Sequence, residues 1–349
     1  MRKWIGLLLI AALAVSPELP AFAAEQATQA ATPVTVSMST IEKIMCDYNQ
    51  DIQTIENDLR NTKEQYNVEK GNPNSDSSAA NAYKIAQTKY EQQVQQKVLS
   101  AKQQYISFCV DNVQLQADQV SADNDKKTLS LKSGQLGGGY ISQKDYNDAR
   151  DQASKSKNAL DEQQSKVVRE KWELKTLLNI PDGVNFTIVP VTAADMDITS
   201  IPSIGYSADV ILMVTRNADI IAAEQNYDFT KDDLSNSSST IDNAYISWQQ
   251  TISSRKATFQ QLYDSMMSSY QTWQLDTQTV ERKTNDLAVE KQKLAQGFSS
   301  QAKVDQANLD LLLAEAAAAK EQSNAYSTLM SYNNMKNGYT ATGSESAQQ

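Results

Sequence analysis

The chain has 349 residues, with 42 acidic and 32 basic side chains, a net charge of −10 and no histidine. An acidic chain without clustered Lys and Arg excludes nucleic acid as a partner. The missing imidazole removes the usual general base, the commonest metal ligand and every histidine-based triad, so no enzyme, catalytic residue, cofactor or metal site is expected.

Only 11 Gly and 7 Pro punctuate the chain, and the mean hydropathy is −0.53. Such a composition reads as long helices with thin apolar seams and wet outer faces, not as a helical membrane protein. Residues 1–23 begin with Arg2 and Lys3, continue through an apolar run at 4–15 and end on Ala21-Phe22-Ala23. This is the layout of a secretory signal peptide, and its apolar core is shorter than the ~20 residues a membrane span needs. No cysteine follows the cleavage site to take a lipid, so the mature chain is expected to be exported into the cell envelope. Residues 24–37 read as a disordered lead-in.

From residue 39 to 69, Ile41, Ile44, Met45, Tyr48, Ile52, Ile55 and Leu59 recur at three and four, which predicts a first helix. A polar Gly, Asn and Ser stretch at 71–78 breaks it. A second helix is predicted over 79–136, about 85 Å long at ~1.5 Å per residue, too long for a globular core. It stops at Gly137-Gly138-Gly139-Tyr140, and Ser142 is placed to cap a returning helix over 142–178. Asn179-Ile180-Pro181-Asp182-Gly183 ends that helix, and 186–191 is expected to be extended with no partner strand. A linker at 192–206 separates this first unit, 38–191, from a second at 207–337. The second unit reads as a helix over 207–234, a break at 235–239, a long helix over 240–295, a bend at Gly297-Phe298-Ser299-Ser300 and a return over 300–337. The tail, 338–349, reads as disordered.

The two units are copies. The segment Gly139-Tyr140-Ile141-Ser142 to Ala149 returns as Gly297-Phe298-Ser299-Ser300 to Ala307, 158 residues later. Before the second bend Tyr245, Ile252, Phe259, Met266, Trp273, Val280, Leu287 and Leu294 are seven apart. Before the first, Val94, Ala101, Phe108, Leu115, Ala122, Leu129 and Leu136 keep that spacing. After the bends, Tyr146, Ala153, Leu160, Val167 and Leu174 answer Val304, Leu311, Ala318, Ala325 and Tyr332. A strict seven-residue apolar period specifies left-handed supercoiled helices. The predicted fold is all-α: two tandem repeats of very long antiparallel coiled-coil hairpins, with both bends at one end. The strict period assigns the Tyr and Trp residues at these sites to the core.

With these features in hand the chain resembles the TolC-like outer-membrane efflux proteins, or channel-tunnels. The resemblance rests on the doubled long helix, the G-x-x-S-x-x-D-x-x-x-A turn, the Ala/Leu-rich return and Leu177-Leu178-Asn179-Ile180-Pro181 at the close of the first return. It also rests on Asn217-Ala218-Asp219-Ile220 near the start of the second half. It implies a homotrimeric α-helical tunnel of an envelope efflux or type I secretion system, located in the outer membrane or periplasm. Its turns would dock a membrane-fusion adaptor protein and an inner-membrane pump. In the family each half also carries a β-hairpin between its first two helices, and these close into an outer-membrane barrel. Here those places hold only residues 71–78 and 235–239, too short for two spanning strands of ~9–11 residues, so the sequence offers no strands for direct membrane insertion.

The best site candidates are the bends: Gly137, Gly138, Gly139, Tyr140 and Ser142, with Gly297, Phe298, Ser299 and Ser300, read either as helix caps or as adaptor-docking turns. Asp145 and Asp148 stand where the family carries aspartates that narrow the tunnel mouth, and as a trimer they would form a cation-favouring ring. The alternative is a solvated helix start with a favourable dipole. Two other functions stay open: an exported coiled-coil spacer without a lumen, and an efflux adaptor, which would need lipoyl-like β segments that the sequence does not show. Cys46 and Cys109 are the only cysteines; their position numbers add to 155, close to the 151 set by a turn running from 71 to 80. They are therefore a disulfide candidate in an oxidising compartment, against the alternative of two buried thiols.

Overall fold

The computed structural model describes residues 33–70 and 78–339. The expected signal peptide, most of the lead-in and tail, and the 71–77 turn lie outside the described residues. The elements run β1 (Val34–Val36), α1 (Ile41–Tyr48), α2 (Gln50–Lys70), α3 (Ser78–Gly137), α4 (Gln143–Leu177), β2 (Phe186–Ile188), a short 3-10 turn (Ile201–Ser203), α5 (Tyr206–Arg216), α6 (Ala218–Asp232), α7 (Ser238–Ala295) and α8 (Gln301–Lys336). Among the described residues the fold is all-α apart from the three-residue ribbon β1–β2.

Polar bonds between helices fix the layout. Across α3 and α4, Lys166 Nζ lies 2.6 Å from Asp111 and Gln152 bonds Asp125 at 3.1 Å. Across α7 and α8, Lys283 meets Asp310 at 2.8 Å. The position numbers of the first two pairs both add to 277, the signature of one antiparallel hairpin folded at Gly139. The hairpins join through α3 and α8, where Gln103 reaches the Ser327 carbonyl and Asn124 reaches the Asp305 carbonyl. Those numbers add to 430 and 429, so α3 and α8 are also antiparallel, and Gly139 and Gly297 fall within roughly 10 Å of the same height. Both bends are therefore at one end. The order across the layer is α4, α3, α8, α7, with α2 beside α3 and α6 between α3 and α7 further from the bends.

The heptad sites supply the seam. Val94, Ala101 and Phe108 on α3, Leu160, Val167 and Leu174 on α4, Phe259, Met266, Val280 and Leu287 on α7, and Val304, Ala318, Ala325 and Tyr332 on α8 are all buried. The largest apolar clusters lie away from the bends, one around β1, α1 and the end of α4 and one around α5, α7 and the end of α8. Tyr245 departs from the heptad expectation: it is exposed, although its ring packs edge-on against Trp248.

Three expectations are corrected. Residues 34–36, read as part of a disordered lead-in, form β1, and the segment read as partnerless is its parallel partner β2, paired Val34 to Phe186 through Val36 to Ile188. The helix predicted over 39–69 is two helices, because Asn49 is extended at φ −71°, ψ 125°. The helix predicted over 207–234 is likewise split at Asn217, φ −63°, ψ 121°. In both breaks the asparagine amide oxygen caps the next helix, accepting from Ile52 N or from Asp219 N and Ile220 N. The amide nitrogen donates to a carbonyl at the end of the same repeat's return, Leu177 O or Tyr339 O.

Candidate functional site

The two bends match bond for bond. At the first, Gly139 N donates to Leu136 O and Tyr140 N to Gln135 O; at the second, Gly297 N donates to Leu294 O and Phe298 N to Lys293 O. These are the two bonds of a Schellman stop, and they require the glycine to be left-handed, as Gly139 (φ 72°) and Gly297 (φ 79°) are. A Cβ at Gly138 would lie 2.6 Å from the Tyr140 ring, so this glycine makes room for the ring to fold back, while nothing crowds Gly137. The stop leaves each aromatic in solvent: Tyr140 is 83% exposed and Phe298 79%. Two exposed rings at one end of the layer form a docking candidate with no packing role in the chain itself.

The cap that follows differs between copies. Ser142 and Asp145 form a capping box, with Ser142 Oγ accepting from Asp145 N at 3.2 Å and Ser142 N donating to the Asp145 carboxylate at 3.1 Å. The Ser142 hydroxyl bond holds the Asp145 pKa below its ordinary value. Asp148 is paired with Lys144 on the same helix face. Both aspartates thus have local partners in the single chain. Ser300 occupies the matching cap position, but its hydroxyl makes no capping bond, and Lys303 in place of an aspartate leaves no side chain to return the reciprocal bond of a capping box. Ser299 instead donates to Glu290 at 2.7 Å, across the bend.

Cys46 and Cys109 are both free, Cys46 exposed and Cys109 buried, which corrects the disulfide expectation. The physical reason is register. The ion pairs Lys102–Glu42 and Lys97–Asp51 tie α3 to α1 and α2 with position numbers adding to 144 and 148, whereas the cysteines add to 155. The offset of 7 to 11 residues is about 10–16 Å along the helices, beyond the ~7 Å Cα limit of a disulfide. Burial pushes the Cys109 thiol up to about 11. A thiol reagent is therefore expected to label Cys46 at once in the native protein and Cys109 only on unfolding; one or no reactive thiol after denaturation without reductant would contradict this.

Among the described residues no cluster of three or more His, Cys, Asp or Glu side chains is placed to hold a metal, and no helix is long and apolar enough to cross a membrane. The α6–α7 connection, 233–237, contains no strand. A cleft of about 600 Å³ between α3, α4 and α8 is lined by Asp111, Gln163, Lys166, Lys320 and neighbouring amides and hydroxyls.

Two long hairpins lie side by side, with like bends at one end and a broken helix at the start of each repeat. Compared with solved structures, this is the fold of the TolC-like outer-membrane channels. A membrane protein from Pseudomonas aeruginosa is 11% identical with a TM-score of 0.65, over 97% of this chain and 100% of that one. The CmeC outer membrane channel of Campylobacter jejuni is 10% identical, TM-score 0.65, over 94% and 96%. The outer membrane protein VceC of Vibrio cholerae is 10% identical, TM-score 0.61, over 86% and 96%. No protein-family model matches the chain, and no curated protein matches it. At these identities the likeness is one of fold.

Proposed function

We propose that the chain is a component of an envelope efflux or type I secretion conduit: an oligomeric α-helical tunnel, built as a trimer, whose bends dock an adaptor protein and through it an inner-membrane pump. The observation that carries this reading is the pair of unmatched edges on the four-helix layer. On α4, Val168 and Trp172 are about two-thirds exposed; on α7, Ile246, Leu275 and Val289 are exposed. An α4 edge meeting a neighbour's α7 edge is a head-to-tail contact, which closes into a ring when each copy adds the same rotation. The duplicated bends then present six exposed rings at one end of a trimer, the arrangement an adaptor would engage. The strandless 233–237 connection favours a tunnel without its own barrel strands from the second repeat. The same feature keeps the spacer reading alive.

Electron microscopy of the purified mature chain separates the two. A hollow ring of threefold symmetry supports the conduit, and a solid rod supports the spacer. Trp172→Glu is expected to convert the oligomer to monomer with helix content unchanged, because a charge on a closed helix edge would be buried without a partner. An unchanged sedimentation coefficient would remove α4 from the contact.

A further inference from the structure

The side chains where α4 lies across the middle of α3 are not balanced in charge. Asp111 on α3 and Glu170 on α4 are both mostly buried, at 15% and 13% side-chain exposure. One lysine serves both: Lys166 Nζ is 2.6 Å from Asp111 Oδ1 and 3.8 Å from Glu170 Oε1. Gln163 Nε2 adds bonds to the Asp111 carbonyl at 2.8 Å and its carboxylate at 3.2 Å. Asp111 thus has the better donors. Glu170 Oε2 is buried with no hydrogen-bond partner, and both carboxyl groups lie within 3.8 Å of the same Lys166 ammonium. Two buried carboxylates beside one ammonium leave a negative charge uncompensated, and because carboxylates are acceptors only, a bond between the two requires a proton on one.

We propose that Asp111 and Glu170 form a carboxyl–carboxylate pair that binds one proton, on Glu170, and that this proton clamps α4 onto α3. The other charges facing the pair do not remove the need for it. On α4, Glu173 adds repulsion and its own partner is Arg169, 3.7 Å away. On α3, Ser107 offers Asp111 only a long contact at 3.5 Å. From α8, Lys320 lines the cleft shared with Asp111 and Lys166. Burial first, then the neighbouring Asp111 carboxylate, push Glu170 up to about 7. Lys166, Glu170 and Gln163 hold Asp111 below its ordinary value.

The direction of the pH effect follows. A carboxyl that binds its proton more tightly folded than unfolded contributes fully below its ordinary value, and that contribution is lost as pH rises through about 7. Asp111 works the other way, but only in more acidic solution. Between pH 5 and 8 the α3–α4 seam should therefore loosen as the proton leaves. Acidification tightens this hairpin.

The test compares the full-length mature protein with Glu170→Gln, which keeps a donor at that position at every pH. Wild type is expected to lose thermal stability from pH 5 to 8, by on the order of tenfold or more in the folding equilibrium constant. Glu170→Gln is expected to lack this component and to match wild type at pH 5. An equal slope in both proteins overturns the proposal. Difference infrared spectroscopy reads the proton without relying on that variant's folding. Wild type should lose a protonated-carboxyl band near neutral pH, and Asp111→Asn should lose it at lower pH, because the anion that retains the proton is gone. A wild type with no carboxyl protonated above about pH 5.5, or an Asp111→Asn midpoint that does not move, overturns it equally.

Discussion

Replacing Phe259 by alanine is expected to lower the unfolding free energy by about 3–5 kcal/mol, the range for a fully buried phenylalanine whose site cannot collapse. Phe259 has no solvent exposure, and its ring stacks on Tyr332 at 4.4 Å with 18° between planes. Tyr206 adds a second stacked contact at 5.8 Å. These rings join α5, α7 and α8, so the cavity would open where three helices converge. The neighbourhood is stiff for a second reason: the Tyr332 hydroxyl donates to Asp209 at 2.9 Å, and Lys336 lies 3.6 Å from the same carboxylate. Burial and the Asp209 carboxylate push the Tyr332 phenol well above its ordinary value, which keeps that bond at any physiological pH. Phe298→Ala is the contrast. Its ring lies in solvent at the bend, and its loss should change stability by less than about 0.5 kcal/mol. Denaturant titrations of the two variants check both; a Phe259→Ala midpoint near wild type would mean that the aromatic junction is not part of the cooperative core.

That contrast was legible in the sequence, because Phe259 sits in the seven-residue register and Phe298 follows a bend glycine. The hairpins and their shared end were also legible, since a repeat of 158 residues carries its helix stops with it. What could not be read depends on contacts far apart in the chain. The pairing of Val34–Val36 with Phe186–Ile188 involves two three-residue strands, Val-Thr-Val and Phe-Thr-Ile, each too short for its alternation to mark a strand. The carboxyl pair of Asp111 and Glu170 needs the α3–α4 register, which the bend sets only to within a turn of helix. The cysteine pairing failed on a different register, that of α1 and α2 against α3, together with the turn of α1 that leaves Cys46 exposed while Ile44 and Met45 are buried. The helix breaks are a different case, because the signal was present. Asn49-Gln50-Asp51-Ile52 and Asn217-Ala218-Asp219-Ile220 share N-x-D-I, but an apolar period continuing through Ile52 and Ile55 masked the first break.

Asn217→Ala is expected to cost about 2–4 kcal/mol, of which about 1 is the lost helix cap and the rest the buried groups left without partners. Asn217 is fully buried, and its amide accepts from Asp219 N at 3.1 Å and Ile220 N at 3.3 Å while donating to Tyr339 O at 3.4 Å. The main chain adds a bond from Ala218 N to Gly338 O at 2.8 Å, so the break is fastened to the end of α8. Asn217→Ser keeps a cap acceptor but not the reach to Tyr339, and should recover about 1 kcal/mol of the loss. Asn49→Ala removes the matching cap and the 2.6 Å bond to Leu177 O, and should be of similar size. Thermal or denaturant melts of the three variants are the measurement; a neutral Asn49→Ala beside a costly Asn217→Ala would show that the two breaks are not equivalent. The break also sets direction. Two residues on, Asp219 is aimed at Arg255 of α7 at 3.0 Å and at Lys89 of α3 at 3.5 Å, with Gln92 bonded at 2.9 Å. Bending the chain at Asn217 therefore brings one carboxylate to the place where α6 wedges between the two long helices. Without that bend the second repeat would lose its hold on the first at this height.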